Sequence, residues 1–385
     1  MKKVNCLFLL FWTVQFTAFA QTPCEDLRVA LLKIDELIVD GKFDQAFLTL
    51  NKIKNDPDLS NCEKMKVVDY KINDIMEKVS PSSMTARQMN DLGEDFFYGR
   101  NDRSKNYEKA LEWYSLAAEK GYAAAQYSLG WMYHNGFGVE KNYTQTIKWY
   151  RLAAEQENAD AQYILGWMNQ KGDGMEVNYT DALKLYLKAA NQGYVDAQNQ
   201  LGWMYEKGLG MEINYEEALK WYRKAAEQGS ASAQNNLGLM YENGLGVQVD
   251  YAEAARWYRK AAEQSLDVAQ YNLGALYSKG TDSDYEEALR WYHKAADQGL
   301  AVAENAIGRM YSSGYGVAKD FGEALKWYRM AAEHGCVDSQ YNLGYFFETG
   351  KGMPKNLEEA KKWYERAAAQ GDDDAKERLK VLNGN

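Results

Sequence analysis

Apolar and polar positions recur along most of this chain with a fixed period. Large apolar residues stand 36 residues apart, with one gap of 34, at Tyr107, Tyr143, Tyr179, Tyr215, Tyr251, Tyr285, Phe321 and Leu357. A Leu-Gly or Ile-Gly pair and a Trp-Tyr pair recur in the same register, and Leu185-Tyr186 is the one departure from Trp-Tyr. Eight copies in register indicate an internal repeat, which determines the fold class.

Each repeat is predicted to form two helices. From Tyr107 to Ala118 the apolar residues recur at i, i+3, i+4 and i+7, which is typical of an amphipathic helix. We call this the Trp-Tyr helix, and Asn106 before it is expected to be its N-cap. The other helix, which we call the Leu-Gly helix, carries an apolar stripe from Ala125 to Tyr133.

Glycines mark the helix ends and a close contact inside one helix. A glycine within a helix costs about 1 kcal/mol relative to alanine, so its recurrence at Gly130 and equivalent positions predicts that a neighbouring helix packs against the backbone there. Gly121, Gly193 and Gly229 are expected to end Trp-Tyr helices in a left-handed conformation. The segment Gly136-Phe137-Gly138 is expected to be the turn to the next helix.

These motifs closely resemble the Sel-one-like repeat, a relative of the tetratricopeptide repeat. The family pattern is Ala-x-x-x-Leu-Gly-x-x-Tyr, then Gly-x-Gly, then Ala-x-x-Trp-Tyr-x-x-Ala-Ala, and residues 84–371 follow it. Local departures are Gln88, Asn169, Thr281-Asp282 and Lys361. The resemblance implies an all-α fold, a right-handed superhelix (solenoid) of eight two-helix repeats, and a role as a protein-binding adaptor.

The two flanks of the array have patterns of their own. Residues 21–81 carry three amphipathic stripes and end at Pro81-Ser82-Ser83, so we predict an N-terminal helical cap or accessory domain. Residues 372–385 are predicted to form a charged capping helix and tail, because a solenoid needs a polar element over its last apolar face.

Residues 1–20 have the composition of a signal peptide. Lys2 and Lys3 precede an apolar run from Cys6 to Phe16, and Ala18-Phe19-Ala20 offers small residues at the cleavage positions. The run is shorter than the roughly 20 apolar residues that cross a bilayer. We expect cleavage near Ala20 and an exported protein, periplasmic or secreted, that does not span the membrane; an uncleaved anchor is the alternative.

Overall charge and residue types argue against several classes of function. The formal net charge is −10, which repels phosphate backbones, so nucleic acid is not an expected partner. The three histidines stand at unrelated repeat positions, and the chain has no metal-binding spacing, nucleophile elbow or phosphate-cradling loop. We therefore predict no catalytic residue, no metal and no cofactor.

Removal of the first twenty residues would leave three cysteines, Cys24, Cys62 and Cys336. An oxidising compartment permits disulfides, and an odd number allows at most one internal pair. Cys24 and Cys62 head the first and third predicted helices of the N-terminal segment, and a helical hairpin puts these two starts on the same side. We expect a disulfide between them, with Cys336 left free.

The predicted ligand-binding residues lie on the Leu-Gly helices. On a helical wheel Tyr127 and Trp131 fall away from the apolar stripe. In the tetratricopeptide class the helix bearing Leu-Gly lines a concave groove and these two positions face the ligand, so the resemblance implies the same here. The complete set is Tyr127, Trp131, Tyr163, Trp167, Asn199, Trp203, Asn235, Asn305, Arg309, Tyr341 and Tyr345. The alternative is that three identical tryptophans record tandem duplication and pack onto neighbouring helices.

The sequence thus predicts a non-catalytic scaffold or adaptor of the cell envelope that binds a peptide or protein in its concave groove, with a glycan as a second kind of ligand. Two other functions stay open: a cell-wall-associated or β-lactam-related hydrolase, and an architectural or chaperone-like factor in envelope assembly. An enzyme would show a pocket of titratable groups with shifted pKa values. An architectural protein would form a stable complex with several envelope components.

Overall fold

The structure, a computed structural model, describes residues 23–60, 62, 65–279 and 284–383, with the backbone alone for 23–26 and 58. These described residues form twenty α-helices, short 3-10 turns and no strand, which confirms the all-α fold class. The helices are α1 (Pro23–Val39), α2 (Phe43–Lys54), α3 (Met65–Ile75), α4 (Ala86–Tyr98), α5 (Tyr107–Glu119), α6 (Ala123–Asn135), α7 (Tyr143–Glu155), α8 (Ala159–Lys171), α9 (Tyr179–Asn191), α10 (Val195–Lys207), α11 (Tyr215–Glu227), α12 (Ala231–Asn243), α13 (Tyr251–Glu263), α14 (Asp267–Tyr277), α15 (Tyr285–Ala296), α16 (Ala301–Ser313), α17 (Phe321–Glu333), α18 (Val337–Thr349), α19 (Leu357–Ala369) and α20 (Asp373–Leu382).

The predicted two helices per repeat are confirmed. The even-numbered helices from α4 to α18 are the Leu-Gly helices, and the odd-numbered helices from α5 to α19 are the Trp-Tyr helices. Each Leu-Gly helix packs against the Trp-Tyr helix that follows it, as α6 does against α7 and α16 against α17.

The chain divides into two compact units, Met1–Gln156 and Glu157–Asn385. In the first unit α2 packs against α1 and α3, and α4 to α7 pack in order along the chain. One apolar core runs through this unit from Leu27 and Phe47 to Leu129. The three N-terminal helices therefore share a core with the first two helix pairs, and the core continues past the predicted break at Pro81, where the chain makes a 3-10 turn.

In the second unit each helix from α8 to α20 packs against the next one. Its core is a series of small clusters, and one of them joins Tyr222, Leu237 and Met240 to Trp257 of the following Trp-Tyr helix. Trp221 and Trp291 complete their preceding clusters in the same way. Packing of each repeat against the repeats next to it is typical of a repeat array. The right-handed superhelix implied by the resemblance stays a prediction.

The glycine of each Leu-Gly pair makes room for a tyrosine ring. A Cβ atom added at Gly202 would lie 2.5 Å from Cδ1 of Tyr222, and one at Gly238 would lie 2.6 Å from Cδ1 of Tyr258. These distances are far shorter than a carbon–carbon contact of about 3.5–4.0 Å. The prediction that a neighbouring helix packs against the glycine backbone is confirmed.

The predicted helix ends are also confirmed. The side chain of Asn142 accepts a hydrogen bond from the backbone N–H of Gln145 at 3.0 Å, as an N-cap does. Gly121 adopts a φ of 83° after its Trp-Tyr helix. In the Gly-x-Gly turn, a Cβ atom at Gly138 would lie 2.6 Å from the carbonyl oxygen of Tyr107, so this turn needs glycine for space as well as for its positive φ.

The predicted flanks are described in part. The expected signal peptide, residues 1–20, and the substituted turn at Thr281-Asp282 lie outside the described residues. At the other end, α20 packs against α19 through the buried Ala375, and Arg378 forms an ion pair with Glu348. Among the helices that the structure describes, none has an apolar stretch sufficient to span a bilayer.

Candidate ligand-binding face

The predicted ligand-binding residues differ in their exposure to solvent. Arg309 is exposed, while Asn235 and Asn305 are buried, with 7% and 6% of their surface accessible. The other members are half-buried: Tyr127, Trp131, Tyr163, Trp167, Asn199, Trp203, Tyr341 and Tyr345. The tryptophans of this set are therefore partly accessible to solvent.

The first unit contains a cavity of about 260 Å³ at two of these residues, Tyr127 and Trp131. It lies where α4, α5 and α6 meet. The remaining lining residues are Phe97, Tyr98, Tyr114, Ser128 and Met132. The walls are thus mainly aromatic, with a few hydroxyl groups among them.

The aromatic walls are held in place by other aromatic rings. The Trp131 ring stacks on Phe137 with 4.9 Å between centroids and meets the edge of Phe97 at 5.5 Å. The Tyr127 ring stacks on Tyr150 at 5.6 Å. Such offset and edge contacts fix ring orientation, so the cavity is built before any ligand arrives.

The polar groups at this cavity are hydroxyls and one charged pair. Burial raises the pKa of Tyr114, and the nearby Glu94 carboxylate raises it further, so the hydroxyl that bonds Ser128 stays protonated at neutral pH. At the rim, the Arg100 guanidinium lies 4.4 Å from the centre of the Tyr98 ring and 3.9 Å from Glu94. The cavity therefore has an apolar interior and a polar margin.

In the second unit the equivalent residues also lie on the Leu-Gly helices. Tyr163 stacks on Tyr194 at 5.1 Å, and burial raises its pKa. Trp167 and Trp203 pack on the apolar cluster of Tyr186 and Leu201. Both tryptophans are therefore partly packed and partly accessible to solvent.

The asparagines of the predicted set bond to the next repeat. The side-chain oxygen of Asn235 accepts a hydrogen bond from Asn272 at 2.9 Å, and that of Asn305 accepts from Asn342 at 3.2 Å and from Ser339 at 2.7 Å. These bonds occupy the side-chain oxygens of Asn235 and Asn305, which join neighbouring Leu-Gly helices. Their assignment as ligand-binding residues stays a prediction, and the proposed site does not include them.

Asn199, which is half-buried, makes the same kind of contact, accepting from Asn236 at 3.1 Å. Near the C-terminal end, Tyr341 packs beside Tyr364 at 5.4 Å, and the hydroxyl of Tyr345 accepts a hydrogen bond from Lys351 at 3.3 Å. The residues of the predicted set therefore differ in their local environments, and their role in ligand binding stays a prediction.

Sequence reasoning missed a set of glutamine pairs, each with one buried and one exposed member, that join successive repeats. Gln234 donates to the carbonyl oxygen of Ala226 at 3.1 Å and accepts from Gln264 at 2.8 Å. The same Gln–Gln bond recurs as Gln156–Gln126, Gln192–Gln162, Gln228–Gln198, Gln298–Gln270 and Gln370–Gln340. The signal was present in the recurrence of two glutamines per repeat, but their partnership is visible only in three dimensions.

The structure describes part of the predicted cysteine arrangement. Cys62 is buried and disulfide-bonded, and Cys336 is a free thiol. The side chain of Cys24 lies outside the described part, so its pairing with Cys62 stays a prediction. Within the described residues no group of three His, Cys, Asp or Glu side chains is placed to hold a metal ion, and the absence of catalysis stays a prediction as well.

A family model described as the Sel1 repeat matches eight consecutive segments of this chain. The matched residues are 89–122, 123–158, 159–194, 195–230, 231–266, 267–300, 301–336 and 337–372. No curated protein matches the chain.

Two solved structures share this fold at substantial sequence identity. A protective antigen present in uropathogenic Escherichia coli strains, which displays an SLR fold, is 37% identical with a TM-score of 0.69 and covers 78% of this chain. The chain spans 65% of that antigen's length. A Sel1 repeat protein from Oxalobacter formigenes is 31% identical with a TM-score of 0.63, over 77% of this chain and 86% of its own.

Proposed function

Because the chain belongs to the Sel1 repeat family, a family of protein-interaction scaffolds, we propose that it is a non-catalytic scaffold whose Leu-Gly helices bind a segment of a partner protein. The observation that carries this proposal is the aromatic cavity at Tyr127 and Trp131. A concave, preformed, mostly apolar pocket with a few polar groups is typical of a recognition site. In a family of interaction scaffolds, a protein segment is the natural occupant.

The size of the cavity indicates what it takes. Its volume of about 260 Å³ lies just below the roughly 300–1,000 Å³ of pockets that hold drug-sized ligands. It therefore suits one large side chain of a peptide, with the rest of the peptide lying along the surface. An aromatic side chain would meet ring edges and faces on several sides, contacts worth about 0.5–1.5 kcal/mol each beyond burial.

The lining also favours a peptide over a glycan. A sugar ring presents many hydroxyls and needs several polar partners, whereas the hydroxyls in this cavity belong to Ser128 and three tyrosines, and no carboxylate or amide side chain lines it. The Arg100–Glu94 pair at the margin offers one group of each charge to the polar backbone or flanking residues of a peptide.

The proposed binding can be tested with two variants of the cavity. Peptides selected from a display library on the full chain would be measured against Trp131→Ala and Ser128→Ile. The first removes a wall, and the second narrows the cavity with the residue that the repeat carries at Ile164. We expect each to weaken binding by about 2 kcal/mol, roughly thirtyfold, as loss of an interface anchor does.

Trp363→Ala is the matched control, because Trp363 is also half-buried but lies on α19, a Trp-Tyr helix outside this face. Its peptide affinity should equal that of the unmodified chain. Thermal melting of each variant separates lost binding from lost fold, since Trp131 also packs on Phe97 and Phe137. Selected peptides that bind the Trp131 and Ser128 variants as tightly as the Trp363 variant would refute the proposal.

We further propose that the scaffold acts outside the cytoplasm, in the periplasm or secreted. This part rests on the composition of residues 1–20 alone. Mass spectrometry of the protein purified from the cell envelope or medium should show a chain that begins after Ala20. A cytoplasmic protein that retains Met1 would refute it.

A further inference from the structure

One position of the proposed binding face carries a positive charge in a single repeat. The residues equivalent to Trp131 along the described array are Glu94, Trp167, Trp203, Leu239, Ala275, Arg309 and Tyr345, so Arg309 is the only cation among them. Its side chain is exposed. Among the described residues Arg309 forms no ion pair, and its guanidinium makes no hydrogen bond to a side chain.

The carboxylate that three other repeats carry three residues after this position is replaced by Ser312 on the helix of Arg309. In repeats with glutamate there, the buried tyrosine hydroxyl donates to it: Tyr222 to Glu206 at 2.8 Å and Tyr258 to Glu242 at 2.6 Å. Glu348 accepts from Tyr364 in the same way.

The Leu-Gly helix of Arg309 and the one before it carry serine at the glutamate position, whereas the one after it carries Glu348. Ser278 lies 3.3 Å from the hydroxyl of Tyr292, and Ser312 lies 3.2 Å from that of Tyr328. In these two helices a neutral hydroxyl therefore replaces the carboxylate.

Arg309 also lines a small cavity. The space of about 80 Å³ is lined by Ser278, Tyr292 and Met310 and by the stacked rings of Tyr285 and Tyr315, whose centroids are 4.9 Å apart. The guanidinium lies close enough to the hydroxyls of Tyr292 and Tyr328 to lower their pKa values against the larger effect of burial, which raises them. Both hydroxyls therefore remain protonated at neutral pH. Each is hydrogen-bonded to its neighbouring serine, whose own hydroxyl donates to a backbone carbonyl.

We propose that Arg309, at the edge of this cavity, binds a carboxylate group of the partner. A guanidinium matches a carboxylate in a bidentate, charge-assisted pair. One positive charge balances one carboxylate, whereas a phosphate dianion would bring a second negative charge to a chain whose net charge is already −10. A cavity of about 80 Å³ takes a carboxylate group and excludes a larger side chain.

This inference rests on the proposed function, because it assigns a second contact to the same series of Leu-Gly helices. The carboxylate could belong to a peptide C-terminus or to an aspartate or glutamate side chain. Three probes distinguish these sources: N-acetyl-Gly-Gly with a free C-terminus, the same dipeptide as its C-terminal amide, and N-acetyl-aspartate amide. The amide dipeptide serves as the neutral control.

The measurement is an NMR titration of the full chain labelled with ¹⁵N-arginine, in which the Nε–H signal of Arg309 is identified by its loss in Arg309→Gln. We expect this signal to move with one or both carboxylate probes and not with the neutral dipeptide. The C-terminal probe alone moving it would assign a chain end, and the aspartate probe alone would assign an acidic side chain.

Two variants make the test specific. Ser312→Glu restores the glutamate of other repeats, gives Arg309 an internal counter-charge, and should weaken the carboxylate probes at least tenfold while leaving the helical circular-dichroism spectrum unchanged. Arg290→Gln, which removes an exposed arginine already paired with Glu287 at 3.2 Å, should leave probe binding unaltered.

A neutral dipeptide that moves the Arg309 signal as far as the acidic probes would overturn the inference, as would unchanged carboxylate binding in Ser312→Glu. If the probes fail while Trp131→Ala still weakens the selected peptides, the carboxylate site is wrong and the proposed scaffold function stands. If the probes bind but the Trp131 and Ser128 variants bind peptides normally, the carboxylate site stands alone.

Discussion

Ser265 adopts a backbone conformation that suits glycine. Its φ is 65°, at the position where Gly229 has a φ of 94° and Gly193 a φ of 90° after their Trp-Tyr helices. A residue with a Cβ atom pays about 1–2 kcal/mol in the left-handed region, while glycine loses about 0.5–1 kcal/mol through its more flexible unfolded chain. We therefore expect Ser265→Gly to raise the free energy of unfolding by about 0.5–1 kcal/mol in a urea titration.

Gly229→Ser is the reciprocal control. A Cβ atom at Gly229 would meet nothing within 4 Å, so the substitution tests the φ value without a steric clash. It should lower the unfolding free energy by a similar amount. Equal stability of both variants and the unmodified chain would show that the left-handed positions cost nothing here.

At the level of single residues, the sequence predicted caps and turns better than side-chain partners. Asn142 as an N-cap and Gly121 as a helix end depend on local backbone chemistry, which a short window contains. The burial of Asn235 depends on Asn272, which lies one repeat further along the chain. A helical wheel shows the direction in which a side chain leaves its own helix, but it does not show which hydrogen-bond partners lie on the neighbouring helix.

Between elements, one repeat replaces the recurring glutamine pair by an acid and a histidine. Glu304 stands where the other repeats carry Gln234 or its equivalents, and His334 stands in place of Gln264. The Glu304 side chain is 1% exposed, and both of its oxygens lie within 3.0 Å of Nδ1 of His334. A neutral amide pair has thus become a buried carboxylate held by a half-exposed imidazole.

This exchange predicts that removing one partner destabilises the protein more for the Glu304–His334 pair than for a Gln–Gln pair. His334→Ala leaves a buried carboxylate without its partner, and because half of the His334 side chain is exposed we expect a loss of about 2 kcal/mol, below the 3–5 kcal/mol of a fully buried pair. Gln264→Ala removes a neutral hydrogen bond and should cost about 1 kcal/mol. Urea unfolding at neutral pH measures both.

The double variant Glu304→Gln/His334→Gln supplies the control for this pair. It rebuilds the glutamine pair of the other repeats. The new glutamine at 304 would also donate to a backbone carbonyl oxygen, as Gln234 donates to that of Ala226. Its stability should equal or exceed that of the unmodified chain. A double variant as unstable as His334→Ala would mean that local packing, and not the charge, sets the cost.

For the whole molecule, the sequence period was sufficient to predict the fold class but not the division into two compact units. Glycines at fixed positions and a repeated Trp-Tyr pair predict the same helix pair eight times, and the structure has these pairs. A strict period predicts the same contacts at every step, so it cannot indicate that one compact unit ends at Gln156. The N-terminal helices, which lie outside the period, share the core of the first unit.

The departures from the period predict where the second unit opens first. Trp221 and Trp257 are buried and complete the apolar clusters of their preceding repeats. The ammonium group of Lys224 lies 4.2 Å from the centre of the Trp221 ring, and that of Lys260 lies 3.9 Å from the centre of the Trp257 ring. Leu185 replaces this tryptophan in α9 and is half-buried. The smaller side chain buries less apolar surface and offers no ring to a lysine.

Because the stability of an array is the sum of unit and interface contributions, we expect amide hydrogen exchange in α9 to be faster than in α11 to α13. The segment from α14 to α15 should also exchange early, since its connection is two residues shorter and lacks the Gly-x-Gly turn. Leu185→Trp should slow exchange in α9 by about tenfold, equivalent to roughly 1.4 kcal/mol, and leave α14 and α15 unchanged. Uniform protection from α8 to α19 would instead mean that the unit opens as a single cooperative body, and that the tryptophan at this position contributes nothing local.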